Sequence, residues 1–149
     1  MSDEAVAAAR VKRRALYASM VSLEAILTSP AAAPLWLEDV NQRTVAVHEA
    51  LVAHIREVER PRGIIARILE DQPRLESHGV ELIADHPRLL ERVDNVVEIT
   101  SRNGNELDTE TVTHVRHAVL ELLGMLTRHR QAGADFVFDA YDVDIGGQS

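Results

Sequence analysis

Apolar residues recur along this chain in alternating steps of three and four, in four long stretches parted by turn signals. The clearest stretch includes VAVHEALVAHIREVER at residues 45–60. There Val40, Thr44, Val47, Leu51, His54 and Val58 follow one another by 4, 3, 4, 3 and 4, the period of a helix that lays one face on a bundle core. His54 lies at the edge of that stripe, and Glu57 stands one turn further on. Upstream, Val6, Ala9, Arg13, Leu16, Met20, Leu23 and Leu27 predict a first helix from a cap at Ser2 or Asp3 to about Thr28. SPAAAP, from Ser29 to Pro34, stops it, because each proline disfavours helix in the residue before it.

The second helix runs from near Leu35 to about Arg60, where Pro61, Arg62 and Gly63 interrupt it. Ile64, Ile65, Ile68 and Leu69 then add a short apolar segment, which predicts a kink or a short offset helix and not a new domain. Asp71, Gln72 and Pro73 form the next start signal. A third helix follows from about Arg74 to Arg102, with Leu75, Leu82, His86, Leu89, Val93 and Val96 inward. Pro87 either bends that helix or breaks it with Asp85 as a new cap. SRNGNELD, Ser101 to Asp108, is the strongest loop signal. The fourth helix starts at Asp108 or Thr109 and carries Val112, Val115, Val119, Leu122, Leu126 and His129. The same step reaches Gly133, Phe136 and Ala140, so this helix extends toward Tyr141. DVDIGGQS, residues 142–149, reads as an ordered or frayed tail. The pattern as a whole predicts one all-α domain, an up-down-up-down four-helix bundle with its core at about residues 3–141, kinked near Pro61–Gly63 and Pro87.

Composition strengthens this picture. Of the 149 residues 46% are hydrophobic but only 3% aromatic, so the core is aliphatic and suited to helices. A net charge of −8 argues against nucleic-acid binding, which needs clustered Lys and Arg; KRR at 12–14 is too short for such a patch. No cysteine is present, which excludes thiolate metal sites, iron–sulfur clusters and cysteine nucleophiles. MSDEAVAAARVKRRAL lacks the apolar run of a signal peptide, and no segment reaches the ~18–20 apolar residues of a membrane span. The expectation is a soluble cytoplasmic protein with no membrane partner.

Three inward histidines carry the candidate chemistry. In a bundle with short loops, residues level with one another lie equally far from the intervening turn. The mean of 54 and 86 is 70, close to the turn at Asp71–Pro73, and the mean of 86 and 129 is about 107, close to the turn before Thr109. His54, His86 and His129 are therefore expected in one layer. Reflecting His54 through the first turn lands near Arg10 and Arg13. His48 lies near the stripe edge as a reserve ligand, while His78, His114 and His117 fall on less apolar faces. Imidazoles and a carboxylate converging from facing helices suit iron, manganese or zinc, and His54, Glu57, His86 and His129 form the candidate ligand set. The competing reading of the same layer is a metal-free one, with neutral histidines bonded to Glu57 or to each other.

LVAHIREVE, LIADHPRLL and LLGMLTRHRQ, within a helical pattern over about residues 5–142, resemble the second, third and fourth histidine-bearing helices of the hemerythrin-type (HHE) cation-binding domain. That resemblance implies a four-helix bundle with a non-haem iron site, mono- or dinuclear, that binds or senses oxygen, nitric oxide or iron. The chain departs from the family pattern at several ligand positions. Residues 1–28 hold no histidine, Val58 stands four residues after His54, Leu90 four after His86, and Gly133 and Ala134 follow His129.

A second functional class stays open beside this one: a metal-free bundle acting through a protein partner or self-association. FVFDAYDVDIGG, Phe136 to Gly147, alternates apolar and acidic residues and docks either on a partner or on its own bundle. Catalysis without metal has no support, since no phosphate loop or nucleophile elbow is present and Ser19 and Ser22 have no base nearby.

Overall fold

The computed structural model describes residues 3–31, 35–102 and 108–147, with helices α1 (Asp3–Leu27), α2 (Trp36–Glu59), α3 (Ile64–Asp71), α4 (Glu76–Arg102) and α5 (Thr109–Gly147). No strand occurs among the described residues. Ser2, residues 32–34 of the first loop, residues 103–107 of the second and residues 148–149 of the tail lie outside them. The four long helices pack as a bundle, α1 on α2, α2 on α4, α4 on α5 and α5 back on α1. No helix is long and apolar enough to cross a membrane among these residues.

The elements follow the local chemistry. α2 ends where Arg60, the residue before Pro61, turns extended at φ −63° and ψ 155°. The expected offset helix is α3. A 3₁₀ turn at Pro73–Leu75 leads into α4, which passes through Pro87 without a break, so Asp85 caps no new segment. At the start of α5 the Thr111 amide donates to Asp108 Oδ1 at 2.7 Å, the expected N-cap. α5 runs past the expected Tyr141: the backbone stays helical to Gly147, so of the two readings of the tail, ordered or frayed, the segment at 142–147 follows the ordered one. Phe136 and Ala140 are buried in the chain's own core, which settles their docking as internal, while Phe138 faces outward.

Contacts along the helix seams share one trend. Asn41 Nδ2 donates to Thr100 Oγ1 and Ser101 Oγ, His48 meets Asp94, and Glu59 meets His86. Partner numbers on α4 fall as numbers on α2 rise. α4 and α5 show the same trend, with His78 against the Ala132 carbonyl, Asp85 against His129 and Arg92 against Glu121. At the first loop, Trp36 Nε1 donates to the Ile26 carbonyl and Arg116, lying over the Trp36 ring, donates to the carbonyls of Leu27 and Ser29, satisfying acceptors that a helix end leaves open.

The apolar core falls into two clusters. The larger holds Trp36, Val47, Leu51, Leu89, Val93, Leu122 and Leu126 among others. The smaller gathers Val58, Ile64, Ile65, Ile68, Leu75, Leu82, Phe136 and Ala140. α3 closes the second cluster, and Gly63 allows the approach: a Cβ there would stand 2.5 Å from the Glu57 carbonyl oxygen and 3.0 Å from that of Val58. Gly63→Ala is expected to destabilise the fold by about 1–3 kcal/mol. Gly133→Ala, whose Cβ would meet nothing within 4 Å, is expected to stabilise it by about 0.5–1 kcal/mol. Urea unfolding of both variants at neutral pH reads the opposite signs.

Candidate metal centre

The histidine layer occupies the gap between the two apolar clusters. Leu51, Leu89 and Leu126 lie three residues from His54, His86 and His129 on the side of the larger cluster; Val58 and Leu82 lie four residues away on the other side. Where α5 would supply a matching side chain four residues past His129 it has Gly133. The expected layer is present. Ring centroids stand 6.0 Å apart for His54 and His86, 6.1 Å for His54 and His129, and 4.9 Å for His86 and His129, all edge-to-face. One ligand atom from each ring lies within 4.8 Å of the others.

Two of the rings are fixed by carboxylates. His86, only 2% exposed, donates from Nδ1 to Glu59 Oε2 at 2.5 Å. His129, 5% exposed, donates from Nδ1 to Asp85 Oδ2 at 3.1 Å. Each bond selects the tautomer whose Nε2 lone pair is left for a ligand. His54 differs: its Nδ1 is buried and has no hydrogen-bond partner.

Glu57, expected as the fourth ligand, does not join the cluster; its carboxylate pairs with Arg60 Nε at 2.6 Å. The carboxylates that serve the layer are Glu59 and Asp85, which sequence reasoning passed over. A signal for Glu59 was available, because it stands eighteen residues, five full turns at 3.6 residues per turn, after Asn41 and so shares its α4-facing edge. His48 sits on that edge too, 3.6 Å from Asp94, and not in the cluster. His78 packs on Phe136, and His114 and His117 are exposed.

Beside the rings lies a cavity of about 100 Å3, several times the ~10–15 Å3 that a single water requires, lined by the triad, by Arg10 and Arg13 of α1, and otherwise mainly by apolar side chains that include Val6, Ile65 and Phe136. Arg10 and Arg13 thus reach the layer as the turn arithmetic indicated. Burial holds the Arg13 guanidinium below its ordinary range, helped by the charges of Arg130, Arg10 and Arg14. The His54 pKa is pushed from 6.5 down to about 4, chiefly by burial and then by His129, His86 and Arg13. Burial and His129 also lower His86, against the opposing pull of Glu59 and Asp85. Both shifts favour the neutral ring at His54 and His86, and neutral imidazole is the form that binds metal.

The donor set fits a metal ion. Three nitrogens each ~2.1 Å from one tetrahedral ion would stand about 3.4 Å apart, so the rings, now within 4.8 Å of one another, would need to close by little more than an ångström to share one. No family model, curated protein or solved structure matches the chain.

A histidine with a depressed folded pKa binds its proton more readily when unfolded, so its contribution is complete above pH 6.5 and lost as pH falls toward 4. For metal-free protein, His54 is expected to withdraw up to about 3 kcal/mol of stability across that window. Urea unfolding at pH 7 and pH 4.5 checks this against His54→Gln, which should show a visibly flatter dependence.

Proposed function

We propose that this chain is a hemerythrin-like, up-down-up-down bundle that holds a single non-haem metal ion on His54, His86 and His129 and binds or senses a small ligand at the ion's open positions. The topology is supported by the falling partner numbers along the α2–α4 and α4–α5 seams. The observation that carries the metal is the buried, unpartnered Nδ1 of His54, set against two rings whose carboxylates orient them as metal ligands are oriented. A purely structural polar layer would satisfy all three rings.

Three imidazoles with no carboxylate ligand suit iron(II) or zinc, and iron is the metal that the family resemblance implies. The three-histidine set supports a mononuclear centre, since a second ion would need ligands that the triad does not supply. Arg13 repels a dication, but Glu59 and Asp85 place two negative charges directly behind the ligand rings and offset it.

Elemental analysis of protein purified without chelators is expected to give one transition metal per chain, and His86→Ala or His129→Ala to remove it. Full metal content in both variants would sink the assignment and leave a metal-free interaction module as the better reading. Glu59→Gln is expected to weaken metal affinity by about 10–100-fold through loss of the charged partner of His86. Glu57→Gln should leave affinity within about twofold, because that carboxylate faces Arg60. Competition with a chromogenic chelator reads both, and equal effects would contradict the geometry.

A further inference from the structure

Positive charge gathers on the α1 side of the triad's cavity, and among the described residues no carboxylate is in ion-pair contact with it. The protein carries a net charge of −8, yet two arginines bring positive charge to the wall of this cavity. Among the described residues Arg10 and Arg13 form no ion pair with any carboxylate. Their charged neighbours include Arg14 and Arg130, and Arg130 stacks over Tyr17 with its Nε buried and unpartnered. Partly buried charge without a counter-ion is costly, and an anion in the cavity relieves that cost.

The remaining wall limits what the anion is. The rest of the wall is mostly hydrocarbon, from Val6 beside the arginines on α1 and from Ile65 and Phe136 of other helices. Sulfate or phosphate would set strongly hydrated oxygens against that surface and lose hydration without replacement. A carboxylate with a short aliphatic tail matches both walls, its oxygens accepting from guanidinium in the fork geometry arginine favours and its tail displacing water from the apolar side. A volume of about 100 Å3 accommodates a tail of a few carbons. We propose that the cavity beside the triad binds a short-chain monocarboxylate, its head group toward Arg13 and Arg10 and its tail on the apolar wall. The proposal deepens the metal-centre reading by naming the ligand of the ion's open side, while the arginine contacts stand with or without the ion.

Cobalt(II) and butyrate make the test. Protein loaded with cobalt(II) is titrated with butyrate while the visible cobalt bands and the heat of binding are followed, with sulfate and n-butanol as probes that carry only the charge or only the tail. The expected result is one butyrate per chain, a shift of the cobalt bands, and clearly weaker binding of both controls. Arg13→Met is expected to weaken butyrate by about tenfold or more with cobalt stoichiometry unchanged, and the exposed Arg10→Gln gives a second, milder reading should Arg13→Met unfold. Cobalt bands that appear but do not respond to butyrate, with no heat of binding, overturn the carboxylate proposal and leave the metal centre standing. Sulfate binding as tightly as butyrate overturns it too. If no cobalt bands appear, the metal reading fails by itself and butyrate is titrated into metal-free protein. Binding that Arg13→Met abolishes then supports the carboxylate site, and absence of binding overturns it.

Discussion

Three imidazoles occupy a layer that aliphatic side chains fill elsewhere in the bundle, and the rest of the site depends on how that substitution is accommodated. Close-packed aliphatic clusters above and below hold the four helices in register, so the layer cannot collapse to expel the rings. Each ring must therefore be satisfied or carry the cost of burial. His86 and His129 turn outward-facing nitrogens to Glu59 and Asp85 at the bundle rim. His54 has no such outlet, because the carboxylate one turn along its own helix is engaged by Arg60. The strained member of the layer is thus the one on which a ligand has most to offer. Gly133 adds space at the level where the layer meets the second cluster, and the cavity opens there.

The polar seams do two jobs at once. Asn41, His48 and Glu59 share the α4-facing edge of α2, and His78, Asp85 and Arg92, spaced by sevens, share the α5-facing edge of α4. Exposed pairs such as His48 with Asp94 contribute little stability on their own; their effect is to fix the axial offset of neighbouring helices. Once that offset is fixed, Glu59 must arrive at His86 and Asp85 at His129. Orientation of the rings is a by-product of register, and it needs no dedicated element.

Much of this was legible in the sequence because helical periodicity and turn lengths together set the level of a residue in a bundle. The alternation of threes and fours located the buried faces, including His86 and His129, and reflection through the turns brought His54 to the same height with Arg10 and Arg13 beside them. The errors arose where a side chain's reach across helices mattered more than its place on its own helix. Glu57 seemed the natural partner of His54 at a spacing of three, but the sequence did not reveal that Arg60, three residues further on, would claim it. For Asp85 the pattern left two readings, a continuous helix or a cap before Pro87; α4 tolerates the proline, which removes only the bond to the Ile83 carbonyl, and this leaves the carboxylate for His129. How far α5 continues past Tyr141 was left open by the pattern: Phe136 and Ala140 are anchored in the second cluster, and a helix pinned that late in its length carries its backbone on past weak helix formers.

The distribution of charge gives the site its chemical character. An acidic protein that keeps its arginines in salt bridges would present a neutral cavity, suited to a diatomic gas. This chain instead spends two carboxylates, Glu59 and Asp85, on the outer nitrogens of the ligand rings and leaves Arg10 and Arg13 facing the space inside. Were a dication held by the three imidazoles, as proposed, the two carboxylates would match its charge and the guanidinium charges of Arg10 and Arg13 would remain. That excess is felt most at the half-buried Arg13, whose charge is opposed by Arg130, Arg10 and Arg14. On the proposed reading a ligand that restores neutrality brings negative charge, and the hydrocarbon on the rest of the wall favours having that charge at one end.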